Sequence, residues 1–254
     1  YFSEKYPHRV AHSIFLHKQY PDSIIQQIKE SKLLEKKKYR YSDLGYYLFK
    51  EVIEKEYEKP LNRIADELIY KSLGMENLGY LPLGRIDENR IVPTEMDFEF
   101  RSQLLKGYVH DMGAAMQGGV GGHAGLFSNA NDLAKLMQMY LQKGEYAGER
   151  YFSKEVISEF SKCQFPENNN RRGAGFDKAA LPNQEGGPAS KNASEHGFGH
   201  SGFTGTLAWA DPEINLIYIF LSNRIHPDAR NKKLLKMDVR TEIMQVIYDS
   251  LDEK

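Results

Sequence analysis

The residues best suited to chemistry lie in a glycine-rich stretch that runs from Gly199 through His200, Ser201 and Gly202 to Thr206. Glycine lets a backbone approach a ligand closely and present N–H groups to it, and the apolar segment that follows has the composition of a strand. This pattern favours a catalytic or binding edge of a strand. A glycine-rich loop that enters a β-hairpin explains the same residues, because glycine commonly precedes a strand.

A second candidate is Tyr41-Ser42-Asp43, which comes directly before a segment with helical spacing of Leu44, Leu48 and Val52. Ser42 or Asp43 would cap that helix. Positive potential collects at a helix N-terminus, so the phenolate of Tyr41 would be favoured there. An aromatic side chain packed beside a helix cap is the alternative, and the local sequence by itself favours this alternative.

A third candidate is the run of residues 118–128, in which five glycines occupy the eight positions 118–125. Such a density of glycine predicts a loop of special backbone geometry. The run lacks the Lys-Ser/Thr ending of a phosphate-binding loop, which argues against a nucleotide site. His110 and His123 lie in this region, and they either face a pocket or serve as structural histidines.

The composition excludes several classes of partner. Lysine and arginine (34) balance aspartate and glutamate (35), so no overall field favours nucleic acid or an anionic membrane. A single cysteine, Cys163, excludes an internal disulfide and a cysteine-rich metal site. The spacing of His8, His12 and His17 is not that of paired metal ligands. We therefore expect neither a metal nor another cofactor.

The ends and segments of the chain give further expectations. No apolar run is long enough for a membrane helix, and the first residues lack a signal-peptide pattern. Because the chain begins with Tyr1 rather than Met, we expect a processed product or a piece of a longer polypeptide. The basic run 36–38 is predicted to be the solvated end of the first helix.

The elements that must position these candidates follow from periodicity and punctuation. Helices are predicted after the caps Asp22-Ser23, after Ser42-Asp43, from Pro60 to Gly74, after 128–131, from Ser153, and over about 228–251. Little regular structure is expected over 76–109. Strands are predicted within 173–177, over 206–210 and over 216–221, the last of them buried on both faces beneath helices.

Three motifs together resemble the superfamily of serine β-lactamases and penicillin-binding proteins. They are Tyr41-Ser42-Asp43, the run 121–128 before a helix, and His200-Ser201-Gly202 before a strand that contains Trp209. Their order and spacing resemble class C-like esterases and D-alanyl-D-alanine carboxypeptidases over nearly the whole chain. The resemblance implies an α+β fold, a partial β-lactamase-like fold in which an antiparallel sheet is flanked by helices beside a helical and irregular subdomain.

The same resemblance implies one domain, of which residues 1–254 form the C-terminal portion. A helical, loop-rich part would cover about 20–165, and the sheet with a C-terminal helix about 173–254. The chain is also similar to a fused form in which such a domain follows a glycoside hydrolase family 3 β-N-acetylglucosaminidase. A periplasmic or cell-envelope location is implied as well.

The activity implied is that of a serine acyl hydrolase on an ester, a peptidoglycan D-alanyl peptide or a β-lactam. Tyr41 would transfer protons, Asp43 would stand where the family usually has Asn, and His200 would hold the cation position of the third motif. Phe203 would donate its backbone N–H to the oxyanion hole, where one donor is typically worth roughly 3 to 4 kcal/mol of barrier. The implied substrate-binding residues are Ser201, Gly202, Thr204, His110 and His123.

One motif of the family is absent, because no serine in the chain is followed three positions later by lysine. The serine nucleophile and the lysine cation of Ser-x-x-Lys are therefore missing. A tyrosine with an ordinary pKa of about 10 needs such a cation nearby to act as a base. A histidine with its ordinary pKa of about 6.5 is mostly neutral at pH 7 and cannot fully replace that lysine. We expect a truncated chain that is inactive by itself.

Such a truncation would change the sheet. The missing N-terminal segment would hold the first strands, so the sheet would have an open edge that favours a homodimer or an exchange of elements. Alternatively, the chain is a non-catalytic module of the same fold that binds cell-wall peptides or supports a fused glycosidase. The parent sequence decides between the two, because only the enzyme needs Ser-x-x-Lys.

Overall fold

The computed structural model describes residues 1–35, 39–184 and 186–252, so the predicted solvated run 36–38 lies outside the described residues. The chain forms two compact units. The first unit comprises Tyr1–Ser128 and Ile225–Ala229, and the second comprises Asn129–Arg224 and Arg230–Lys254. The boundary therefore lies at residue 128, before the helices that precede the sheet, and each unit is described by itself.

Among its described residues, the first unit has two β-hairpins and four helices, with short helical turns between them. These elements are β1 (His8–Ala11), β2 (Ile14–Leu16), α1 (Tyr20–Glu30), α2 (Leu44–Tyr57), α3 (Leu61–Ala65), β3 (Pro93–Asp97), β4 (Gln103–Lys106) and α4 (Met112–Met116). A π-helical turn, Asp66–Tyr70, continues α3, and the chain turns at Gly74 with a φ of +65°. The predicted start of α2 and the predicted helix between Pro60 and Gly74 are confirmed.

Two predictions for the first unit are wrong. Helix α1 begins at Tyr20, ahead of the predicted caps Asp22-Ser23, because Pro21 fits the first turn of a helix, where its missing N–H costs nothing. The segment 76–109 was expected to hold little regular structure, yet β3 and β4 pair in an antiparallel hairpin there. The hairpin carries buried charged residues, which hide the usual alternation of a strand.

The second unit is built on a four-stranded antiparallel sheet with the strand order β10-β9-β8-β7. Its elements are α5 (Ala130–Leu141), β5 (Glu145–Tyr146), β6 (Glu149–Arg150), α6 (Lys154–Ser161), β7 (Asp177–Lys178), β8 (Phe198–Ser201), β9 (Leu207–Asp211), β10 (Leu216–Phe220), α7 (Lys233–Lys236) and α8 (Val239–Asp252). The strands near 206–210 and 216–221, and the short strand near 177, are confirmed to within a few residues.

Helices cover both faces of this sheet. Trp209 and Tyr218 pack on one face with Met244 and Tyr248 of α8. On the other face Ala210 and Phe198 pack with α5. An antiparallel sheet flanked by helices is therefore confirmed, as is a final helix across the sheet. That final helix is divided, however, because Asp238 between α7 and α8 has a φ of +45°.

Strand β10 is an edge strand of the described sheet. Its five residues, Leu216–Phe220, are all apolar, and they pair with β9 in continuous register without a bulge. Four of the five are only partly buried, which reflects the uncovered side of an outermost strand. Edges of this kind, with no charge, proline or bulge, are templates for pairing with another chain.

We therefore expect the chain to self-associate through β10. Sedimentation velocity over a range of protein concentrations should show a dimer that grows at the expense of the monomer. A monodisperse monomer of high thermal stability across that range would contradict the expectation.

Candidate functional site

Tyr41 and Asp43 lie at the start of α2 in the first unit. Tyr41 is 59% exposed. Asp43 occupies the N-cap position but makes no capping hydrogen bond with its side chain, and Ser42 Oγ accepts the Leu44 N–H at 3.3 Å instead. The Asp43 carboxylate therefore lies at the positive end of the helix dipole without being used as a cap.

An aspartate–histidine pair joins α4 to the glycine-rich loop. Asp111 caps α4, because its Oδ1 accepts the Ala114 N–H at 2.7 Å, and the same oxygen lies 2.8 Å from His123 Nε2. Burial by itself raises the pKa of Asp111, but the hydrogen bonds from His123 and Ala114 and the charge of His123 outweigh it and lower that pKa. Asp111 is thus held as a carboxylate in the framework of the loop.

His123 is also packed against α2. Its ring stacks on Tyr47, with 4.4 Å between the ring centroids and 19° between the planes, and only 4% of its side chain is exposed. Burial raises the pKa of Tyr47 to about 12, with further contributions from the charges of Asp111 and Asp43. Tyr47 therefore stays protonated at neutral pH, and its ring packs on His123.

The glycine-rich loop has the special geometry that its composition predicts. Gly118 and Gly119 have φ values of +79° and +84°, and Gly125 has a φ of +118°. Tyr80 donates its hydroxyl to the Gly121 carbonyl at 2.9 Å. A Cβ on Gly122 would lie 2.5 Å from the Tyr46 carbonyl oxygen. At Gly122 the loop therefore packs so closely on α2 that there is no room for a side chain.

Two helical glycines provide a matched test of this packing. A Cβ on Gly113 in α4 would lie 1.8 Å from Tyr47 Oη, whereas a Cβ on Gly45 in α2 would meet nothing within 4 Å. We expect Gly113→Ala to lower the free energy of unfolding by about 1 to 3 kcal/mol through overpacking. Gly45→Ala should raise it by about 0.5 to 1 kcal/mol through helix propensity. Urea denaturation checks both, and equal effects of the two substitutions would contradict the packing described.

His110 belongs to a neighbouring buried network. Its Nδ1 lies 2.6 Å from Glu95 Oε1, and its carbonyl accepts Arg101 Nη2 at 2.7 Å. His110 and His123 are thus both bound to carboxylates in the first unit, as structural histidines are. A role for either histidine in substrate binding stays a prediction.

His200 lies on β8 in the second unit, next to an arginine. Its Nε2 is 3.0 Å from Arg172 Nη1, and its Nδ1 is 2.8 Å from the Ser201 carbonyl oxygen. A guanidinium has only donors, so the hydrogen-bond network assigns Nε2 as acceptor and Nδ1–H as donor. Arg172 therefore places a guanidinium beside the third motif, and the cation role of His200 stays a prediction.

The charge of Arg172 is partly balanced. Asp177 on β7 accepts a two-point hydrogen bond from Arg171 at 2.8 and 3.1 Å, and its Oδ2 is 3.2 Å from Arg172 Nη2. Two guanidinium groups therefore share one carboxylate.

The turn after β8 holds the remaining predicted site residues. Ser201 is the last residue of β8 and pairs with Leu207. Phe203 is 60% exposed, with the Arg224 guanidinium carbon 4.6 Å from its ring centroid. The Thr204 carbonyl accepts the Arg224 N–H at 3.0 Å, and the Gly202 N–H donates to Thr206 O at 2.8 Å. The oxyanion role of Phe203 stays a prediction.

Comparison with known proteins places the chain in a family. A family model described as β-lactamase matches residues 4–240. The chain belongs to the β-lactamase family. A Salmonella gallinarum protein, provisionally named D-alanyl-D-alanine carboxypeptidase, is 32% identical over 246 residues that cover 91% of this chain and 56% of that protein. This β-lactamase-family chain therefore spans little more than half the length of that relative.

Solved structures agree on the fold. A β-lactamase from Mycobacterium bovis matches with a TM-score of 0.56 at 19% identity over 84% of this chain and 64% of the other. Simvastatin synthase from Aspergillus terreus matches with a TM-score of 0.59 at 12% identity over 97% of this chain and 67% of the other. At these identities the likeness shows the fold alone, and the predicted β-lactamase-like fold is confirmed.

Several residues of this β-lactamase-family chain were missed by sequence reasoning. Arg172 was one of them, although an Arg171-Arg172 doublet in a segment rich in Asn and Gly is a usable signal. Asp111 was another. Its signal is that of a helix cap, an aspartate followed by Met112 and three small residues, 113–115. Within the described ranges, no helix is long and apolar enough to span a bilayer, and no group of three or more His, Cys, Asp or Glu residues could hold a metal ion.

Proposed function

We propose that this β-lactamase-family chain is the C-terminal part of a serine acyl hydrolase of the cell envelope that acts on D-alanyl peptides. The observation that carries the proposal is the contact of 3.0 Å between His200 and Arg172. The substrate of a D-alanyl carboxypeptidase ends in a free carboxylate. A guanidinium at the third motif offers such a carboxylate a charge-assisted partner.

The other roles come from the family pattern. A serine oxygen attacks the carbonyl carbon of the D-alanyl peptide, its proton passes to the Tyr41 oxygen, and the Phe203 N–H stabilises the oxyanion. The C–N bond then breaks, the terminal D-alanine leaves with that proton, and water hydrolyses the acyl-enzyme to regenerate the serine. No cofactor takes part in these steps.

The nucleophile of the proposed enzyme lies outside these 254 residues. No Ser-x-x-Lys occurs in the chain, and the chain spans 56% of its Salmonella gallinarum relative. Both observations support a longer parent polypeptide that supplies the serine and the lysine. A glycoside hydrolase family 3 domain in that parent stays a prediction from the resemblance.

Ligand binding tests the carboxylate site in this chain. N-acetyl-D-alanyl-D-alanine should shift the NMR signals of His200, and its C-terminal amide, which lacks the negative charge, should bind at least tenfold more weakly. Arg172→Met should weaken binding of the acid by about 10- to 100-fold, the value of a charged hydrogen bond. Arg150→Met, which removes an exposed arginine of the same unit, should have no effect. Equal affinity for the acid and the amide would contradict the site.

The second candidate is a non-catalytic module that binds cell-wall peptides. Asp43 in the place of the family's Asn and the absence of Ser-x-x-Lys favour it. Both candidates predict carboxylate binding, so acylation of the parent polypeptide separates them.

A further inference from the structure

Arg240 lies in the first turn of α8 and contacts the turn that follows β8. Its Nη1 donates to the Thr206 carbonyl at 3.0 Å and lies 3.5 Å from the Gly202 carbonyl oxygen. The Tyr218 hydroxyl donates to the Arg240 carbonyl at 3.0 Å and so fixes the start of α8 to the sheet. Because the backbone of Arg240 is fixed in this way, its guanidinium stays in contact with the main chain of the turn.

The carbonyl groups of this turn point towards the body of the second unit. Gly202 O accepts the Gly205 N–H at 3.0 Å in addition to Arg240, and Thr204 O accepts the Arg224 N–H. In a planar trans peptide the N–H points opposite to the C=O. Because the Gly202 C=O points towards Arg240, the Phe203 N–H of the same peptide points away from α8.

This orientation needs a restraint, because it depends on a glycine. Glycine has access to most backbone conformations, so the Gly202–Phe203 peptide meets little steric resistance to rotation. A Cβ at position 202 would lie 2.3 Å from Thr206 Oγ1, so a larger residue would force that side chain to move. The peptide is fixed by hydrogen bonds to its carbonyl, from the Gly205 N–H within the turn and from Arg240 outside it.

We propose that Arg240 is a positioning residue that holds the Gly202–Phe203 peptide in this orientation and so aims the Phe203 N–H at the oxyanion. The inference rests on the proposed function, which gives the Phe203 N–H its role. Arg240 touches no reacting atom and acts only through the turn. Loss of Arg240 should leave the carbonyl its hydrogen bond from the Gly205 N–H but weaken the restraint on the peptide, so that the peptide samples a second orientation while that bond keeps the turn and the sheet folded.

Residual dipolar couplings of the isotopically labelled chain report the direction of each N–H bond and need no nucleophile. In Arg240→Gln the coupling of Phe203 should fall to less than half of its wild-type value through averaging, while the couplings of β9 and β10 stay unchanged. Arg240→Lys keeps a charged donor and should restore most of the Phe203 coupling. Arg150→Met is the matched control, because Arg150 also donates to two main-chain carbonyls, those of Lys143 and Phe152.

Two results would overturn the inference. One is a Phe203 coupling that is unchanged in both Arg240 variants. The other is an equal loss across β9 and β10, which would show a general structural role. Neither result depends on acylation, so failure of this inference is distinguishable from failure of the proposed function.

Discussion

Arg101→Met is expected to lower the free energy of unfolding of the first unit by about 3 to 5 kcal/mol, the typical cost of removing one partner from a buried ion pair. The Arg101 side chain is fully buried. It donates to Asp97 at 2.5 Å, to Val109 O at 2.6 Å and to His110 O at 2.7 Å. Methionine would fill much of the volume but would leave Asp97 and Glu95 as buried charges without their cation.

The same network predicts a loss of stability in acid. Burial by itself raises the pKa of Asp97, but hydrogen bonds from the Phe100 N–H, Arg101 and the Glu99 N–H outweigh it, so the pKa is lowered on folding. A carboxyl whose pKa is lowered on folding stabilises the protein above its unfolded pKa and loses that contribution as the pH falls through the folded value. Stability should therefore fall below about pH 4, the ordinary carboxyl range.

Urea denaturation at pH 7, 5 and 3 measures both effects. Arg90→Met is the matched control, since Arg90 is exposed and donates to the Asn77 side chain at 2.9 Å; a change within about 0.5 kcal/mol is expected for it. If the free energy of unfolding of Arg101→Met equalled that of Arg90→Met, the buried network would not be what holds the β3–β4 hairpin.

The 254-residue chain is expected to form no covalent adduct with a β-lactam or a fluorophosphonate probe. Without its nucleophile a serine hydrolase loses on the order of 10⁶ in turnover, the loss known for subtilisin. The roles proposed for Tyr41 and Phe203, proton transfer and oxyanion binding, form no acyl bond and so would not replace the nucleophile. Intact-mass spectrometry after prolonged incubation measures the adduct.

One control for this experiment is Cys163→Ser, because the single thiol of the chain is a nucleophile that such probes can modify without an active site. An adduct that Cys163→Ser abolishes would be a side reaction. A stoichiometric adduct on a serine of the chain would contradict the absence of a nucleophile.

The sequence predicts the positions of elements that carry a local apolar pattern. Helix α2 and strand β10 are examples, since the first has helical spacing of leucines and the second is an unbroken apolar run. Their burial was not predicted, because α2 buries Tyr47 and Lys50 while Leu44 is exposed, and four of the five residues of β10 are only partly buried rather than buried on both faces. The β3–β4 hairpin could not be predicted in this way, because Glu95 and Asp97 point inward to Arg101 and reverse the normal polarity of a strand. These charged residues become partners only in the folded chain, so their pairing cannot be read from the sequence.

The candidate site was predictable to the extent that its motifs are local. The stretch from His200 to Thr206 reads directly from the sequence and lies at the end of β8 and in its turn. Arg172 is separated from His200 by 28 residues and reaches it because β7 and β8 pair. The Asp111–His123 contact likewise depends on the path of the glycine-rich loop. Contacts of this kind are properties of the fold and have no local signature.

Acylation of the natural polypeptide that contains this chain tests the central claim most directly. Incubation of that polypeptide with a β-lactam, followed by intact-mass and peptide mapping, should show one adduct on a serine followed three residues later by lysine. Tyr41→Phe in the same polypeptide should slow adduct formation by roughly 10² to 10⁴, as expected for loss of a proton-transfer group. A polypeptide that has no such serine and forms no adduct would contradict the hydrolase and leave a peptide-binding module.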